Sequence, residues 1–120
     1  MIYHITTSVE WKLAQENGQY SAPSLDTEGF IHCSTAVQVV PVANAFYRDA
    51  DELILLCLDE DKIRAEVKWE APAHVEGQDA PENSETQLFP HIYGVINLDA
   101  VEKVVPLPKN DEGYSLPDGI

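Results

Sequence analysis

Apolar and polar positions alternate over the first six residues. This period of two predicts a strand over residues 2–6, with Ile2, His4 and Thr6 on one face and Tyr3 and Ile5 on the other. Thr7 and Glu10 then stand at the T-x-x-E spacing of a capping box, which opens a helix. Val9, Trp11, Leu13 and Ala14 supply its inward side, and Gly18 its stop. Residues 19–29, QYSAPSLDTEG, read as a loop.

The stretch EGFIHCST, residues 28–35, predicts a second strand. Phe30, His32 and Ser34 share one face, and Ile31 and Cys33 the other. Thr35 and Gln38 repeat the capping-box spacing, and Val39, Val42, Ala43 and Phe46 recur at helical intervals. Pro41 lies inside that helix, where its missing N–H predicts a kink, or a short first turn with the helix restarting nearby.

ELILLCLD, residues 52–59, is nearly continuous in apolar side chains and reads as a strand buried on both faces. DEDK turns the chain. RAEVKWE, residues 64–70, alternates, with Ala65, Val67 and Trp69 inward and Glu66, Lys68 and Glu70 outward or toward a rim. Residues 71–88 are polar, acidic and proline-containing, a mobile loop with its base at Phe89. HIYGVINL (91–98) reads as one strand, DAVEK as a tight turn, VVPL (104–107) as the last strand and 108–120 as a loop tail. One domain over residues 1–107 with a C-terminal tail over 108–120 follows from this order.

Composition narrows the function classes. A net charge of −14 repels phosphate backbones, and no basic patch offsets it, so a nucleic-acid partner is not expected. Cys33 and Cys57 sit in apolar runs and behave as small hydrophobes, which fits a reducing cytoplasm better than a disulfide framework. The N-terminus has neither the basic flank nor the apolar core of a signal peptide, and no run approaches the ~20 apolar residues of a membrane span.

Candidate chemistry centres on histidine. His4, His32 and His91 all fall at strand positions beside hydroxyl or aromatic residues, in YHIT, FIHCS and PHIYG. If their strands are neighbours, the three imidazoles line one cleft and serve as acid–base groups near neutral pH. Thr6, Ser34, Glu70 and Tyr93 are the candidate ligand contacts around them. A zinc site built from the three histidines is the less favoured alternative, because no H-x-x-x-H or C-x-x-C pair is present. Alternation turns Cys33 away from His32, so buried packing is the expected role of Cys33. His74 falls in the acidic loop and is expected to be solvated.

IYHIT, EGFIHCST, ANAFY, KWE and FPHIYG, in this order over residues 2–107, resemble the bacterial domain of unknown function 952. That family in turn resembles the ADP-ribosyltransferase fold. The resemblance implies an α+β domain: a split, twisted antiparallel sheet with two main helices and a cleft for NAD. His4-Ile5-Thr6 is similar to the opening His-containing strand of those enzymes. Gly29-Phe30-Ile31-His32 leading into Ala43-Asn44-Ala45-Phe46 is similar to their next strand and helix. His91 stands where their catalytic glutamate would begin a later strand. The resemblance therefore implies a nucleotide- or NAD-like ligand handled by histidines, as a transferase or hydrolase. A non-catalytic small-molecule sensor with structural histidines is the alternative. It names no cofactor.

Overall fold

A computed structural model describes residues 1–47, 50, 52–71, 88–111, 113–117 and 120. In chain order the elements are β1 (Ile2–Thr7), α1 (Ser8–Asn17), β2 (Gln19–Tyr20), α2 (Pro23–Glu28), β3 (Ile31–His32) and α3 (Ala36–Phe46). They continue as β4 (Leu53–Leu58), β5 (Val67–Glu70), β6 (Phe89–Ile92), β7 (Ile96–Asn97), β8 (Val101–Pro106), β9 (Lys109–Asn110) and β10 (Gly113–Tyr114). Short 3-10 turns at Glu60–Lys62 and Leu98–Ala100 follow β4 and β7. The fold is α+β with antiparallel pairing in every described sheet. None of the described helices is long and apolar enough to cross a membrane.

Two three-stranded sheets organise the chain, in the orders β1-β4-β8 and β3-β6-β5. β4 is central in the first, and its apolar run serves two cores at once. Leu56 and Leu58 pack with Ile2, Tyr20, Ile31, Ile92 and Ile96. Leu53, Leu55 and Cys57 pack with Tyr3, Ile5, Val39, Ala43, Leu107 and Tyr114. Each fully buried Leu or Ile contributes roughly 1.5–3 kcal/mol of transfer free energy, so this double-sided strand anchors the domain. The two sheets meet at one bridge. Tyr3 N–H donates to Ser34 C=O, and Ser34 N–H donates to Tyr3 C=O, both at 2.8 Å. The bridge sets β1 beside the end of β3.

The second sheet is two-faced. Ile31 and Ile92 point into the core. Phe30, His32, Glu70, His91 and Tyr93 meet one another on the opposite face. Period-two alternation places these residues together, as the sequence reading of β3 expects.

Several local expectations change. In α1, Val9 and Leu13 are exposed; Ala14 is buried and Trp11 half-buried against the first core. The docked stripe runs through Trp11 and Ala14, so an aromatic ring and a small residue make the contact in place of the two aliphatics. α3 is unbroken through Pro41. The carbonyl that loses its N–H partner belongs to Val37, which is 82% exposed, so water can satisfy it. Trp69 lies at the end of an edge strand, beyond the core, and its Nε1–H donates to Glu60 at 3.2 Å.

The supposed loop 19–29 holds β2, which pairs with β7, and α2, which ends at Gly29 with φ near 89°. That left-handed conformation suits glycine. The single strand expected over 91–98 is two, β6 and β7, in different sheets. The last long strand starts at Val101, and the tail folds as the β9–β10 hairpin, which buries Tyr114. Most of the acidic stretch, 72–87, including His74, lies outside the described residues.

Candidate functional site

A cavity of about 500 Å³ opens between the two sheets and α3. His4, His32, His91, Thr6 and Ser34 all line it, along with Glu10, Glu28 and an apolar wall that includes Tyr20, Val42, Phe46, Tyr47, Leu53 and Phe89. Val42 and Phe46 therefore face the cavity, which explains why these two positions of the α3 stripe are only partly covered. Glu70 and Tyr93 are not among the lining residues. They reach the site through His91.

His32 and His91 are directly opposite in the β3–β6 ladder. Cys33 N–H donates to Pro90 C=O at 3.0 Å, which makes the histidines a non-hydrogen-bonded pair, the closer of the two antiparallel kinds. Their ring centroids are 5.5 Å apart. Each is held by a carboxylate. His32 Nε2 lies 3.0 Å from Glu28 Oε2, and His91 Nδ1 lies 2.9 Å from Glu70 Oε1. Tyr93 donates its hydroxyl to the same Glu70 oxygen. Phe30 stacks on His91 with centroids 4.2 Å apart.

The electrostatics follow from this packing. Burial lowers the His91 pKa from the ordinary imidazole value, with the Glu70 bond opposing that shift. Glu70 is lowered by the bond from Tyr93 and then by the bond from His91. Neutral His91 donates Nδ1–H to Glu70, so its Nε2 carries a lone pair. Among the described residues Nε2 has no hydrogen-bond partner.

His4 is arranged differently. Its Nδ1 lies 2.6 Å from the His32 carbonyl and its Nε2 2.8 Å from the Tyr20 hydroxyl. Burial lowers its pKa to about 4, so the ring is neutral at physiological pH. A carbonyl only accepts, so Nδ1 carries the proton and Nε2 accepts from Tyr20. Tyr20 Oη also lies 2.9 Å from Thr6 Oγ1. With the single Tyr20 proton committed to His4, the Thr6 hydroxyl donates. The result is a directed chain from Thr6 through Tyr20 and His4 to the backbone of His32. Both His4 nitrogens are committed to protein partners, so His4 braces β3.

Ser34 is 4% exposed, and its hydroxyl makes no hydrogen bond among the described residues. The N-cap of α3 is Thr35, whose N–H donates to Gln38 at 2.9 Å, so Ser34 does not serve as that cap. Cys33 is buried, and burial pushes its thiol pKa up. No group of three His, Cys, Asp or Glu side chains among the described residues is arranged to hold a metal ion.

Sequence reasoning missed Tyr20, because a two-residue strand in a Pro- and Ser-rich segment has no local signature. The Glu28-to-His32 spacing of four residues was the available signal for that pair.

Comparison with known proteins agrees with the architecture. Two crystal structures of protein CC0527 from Caulobacter crescentus, one of them a double-methionine variant, are 26% identical to this chain, with a TM-score of 0.75. They cover 94% of this chain and 90% of the other. A solution NMR structure of CC0527 gives a TM-score of 0.72 at the same identity, covering 94% of this chain and 89% of that one. No curated protein matches. The family model for the protein of unknown function DUF952 matches residues 5–104. With nearly the whole chain matched, this protein belongs to the DUF952 family.

Proposed function

We propose that the cavity binds a small molecule and that His32 and His91 act on it as an acid–base pair. The single observation that carries this reading is the pair itself: two imidazoles with centroids 5.5 Å apart on one cavity wall, each held by its own carboxylate. A carboxylate on one ring nitrogen fixes tautomer and orientation, and in His91 the other nitrogen faces the cavity for proton transfer. Buried, neutral His91 is suited to take a proton, and such positioned groups contribute about 10²–10⁴-fold in rate. The cavity volume suits a small molecule, and its aromatic wall suits a flat ring.

The finer part of the proposal is an ADP-ribosyltransferase-like arrangement with a nucleotide- or NAD-like ligand, transferred or hydrolysed. Glu70 supports it in one respect. A carboxylate stands 2.9 Å from His91 Nδ1, so negative charge is present one side chain behind the position where the resemblance places a histidine. In this reading His4 and Thr6 shape the pocket through Tyr20, and Ser34 meets the ligand.

The test is calorimetric titration and turnover with NAD, adenosine and ribose 5-phosphate. Binding of uncharged adenosine is expected, with turnover that disappears in His32→Gln and His91→Gln and affinity that persists in His32→Gln. Absence of binding by all three overturns the reading of the ligand. Binding without turnover favours a sensor, a second reading motivated by His4, whose two nitrogens are both structural.

A further inference from the structure

We propose that the cavity selects its ligand by hydrogen-bond donors, hydroxyl or amide N–H groups on an uncharged apolar body, received by Ser34 and by His91 Nε2. The inference rests on the small-molecule reading above, not on its NAD-like part, whose phosphates it disfavours.

Two polar groups in one cavity, the Ser34 hydroxyl and His91 Nε2, lack protein partners among the described residues. Ser34 is 4% exposed and His91 3% exposed. The backbone N–H and C=O of Ser34 are both used in the bridge to Tyr3, which fixes the residue and leaves only the hydroxyl to serve. Glu70 fixes the tautomer of His91, and the stacked Phe30 ring holds its plane. Among the described residues no buried side-chain nitrogen or oxygen is both sealed from solvent and unpaired. The Ser34 hydroxyl and His91 Nε2 are therefore reachable from the cavity.

Their chemistry is asymmetric. Neutral Nε2 can only accept; a serine hydroxyl can do either. Solvent water can donate to both, so a ligand that takes its place has to return those donors or lose affinity. An ether oxygen can take the Ser34 proton but leaves Nε2 unpaired. An anion leaves Nε2 facing negative charge and also meets the lining carboxylates Glu10 and Glu28. Among the described lining residues there is no lysine or arginine to offset them. Capture of the anion is the competing outcome.

The experiment uses three probes with one aryl body: benzyl alcohol, benzyl methyl ether and phenylmethanesulfonate. Amide shifts at Ser34 and ring-proton shifts at His91 are followed by NMR titration above the imidazole range. The alcohol is expected to bind about tenfold more tightly than the ether, the factor of one good hydrogen bond, and the sulfonate more weakly still. Ser34→Ala removes a hydroxyl with no described protein partner, so it keeps the melting temperature and narrows the alcohol–ether gap severalfold. Equal binding of alcohol and ether, or tighter binding of the sulfonate, overturns the inference and leaves the cavity as a ligand site. If none of the three moves a cavity resonance, the ligand-binding reading falls with it.

Discussion

His32 and His91 face each other across the β3–β6 ladder as a non-hydrogen-bonded pair, with ring centroids 5.5 Å apart. Each imidazole is tied to a carboxylate from a different element, Glu28 at the end of α2 and Glu70 at the end of β5. Two like groups are thus brought together with opposite charges on their flanks. The arrangement depends on the register of one antiparallel ladder. A slip of either strand by one residue would turn its histidine to the core face and separate the pair.

Glu70→Gln should lower the titration midpoint of His91 further. The carboxylate favours the imidazolium, which opposes the burial that already pulls this group down. Glutamine keeps a carbonyl for the Nδ1 bond but not the charge. The ring-proton shift of His91 followed against pH in both proteins measures the change. A midpoint that rises in the variant would contradict the assigned geometry.

What could be read from the sequence was what period two and short-range capping govern. The faces of β1 and β3, the caps at Thr7 and Gly18, and the two-sided burial of β4 are local consequences of spacing. The parts that escaped are set by distant partners. Gln19 and Tyr20 become a strand because Asn97 and Ile96 lie beside them, and only then does Tyr20 reach His4. Val9 and Leu13 offered a plausible helix face, but the stripe through Trp11 and Ala14 is the one that docks, a choice only the neighbouring elements decide. The three strand histidines were visible as a set. Nothing in the spacing separates His4, with both nitrogens bound, from His91, with one unpaired among the described residues.

Tyr114→Phe should loosen the cavity lining at Tyr47 and Ala50 without unfolding the protein. The Tyr114 hydroxyl lies 2.8 Å from the carbonyl of Tyr47 and 2.6 Å from that of Ala50, both lining residues. Its backbone N–H donates to Asn44 Oδ1 at 2.8 Å, and that bond survives the substitution. The expected cost is about 1 kcal/mol, the net worth of one hydrogen bond, read from urea unfolding. Faster amide exchange near residue 50, with the first core unchanged, would accompany it. A loss several times larger would mean that the hairpin carries the whole second core.

Cys33 should react slowly with thiol reagents in the native protein. The side chain is buried among Ile2, Ile31 and Ile92, and burial pushes its pKa well up, so little thiolate forms near neutral pH. Cys57, also buried, is expected to behave likewise. Labelling followed by mass spectrometry, with and without denaturant, checks this. Rapid native labelling at Cys33 would show that the thiol is reached from the cavity, which Cys33 also lines.

His4 should make the protein acid-sensitive in a defined window. In the unfolded chain its pKa is near the ordinary 6.5, and in the fold burial holds it at about 4. Above the unfolded value the ring is neutral in both states and stability does not change with pH on its account. As pH falls through 6.5, the unfolded chain takes up a proton that the folded chain refuses, so stability drops. The drop ends near pH 4, where folded His4 protonates as well, and it amounts to about 3 kcal/mol. His91, shifted in the same direction, steepens the same limb. His4→Gln removes the titration and also breaks part of the chain to Tyr20 and the His32 carbonyl. The variant is therefore expected to be less stable at neutral pH but to have a flatter acid limb. Urea unfolding of both proteins across this range gives the two curves. Parallel curves would show that His4 is not the buried neutral group the hydrogen bonds require.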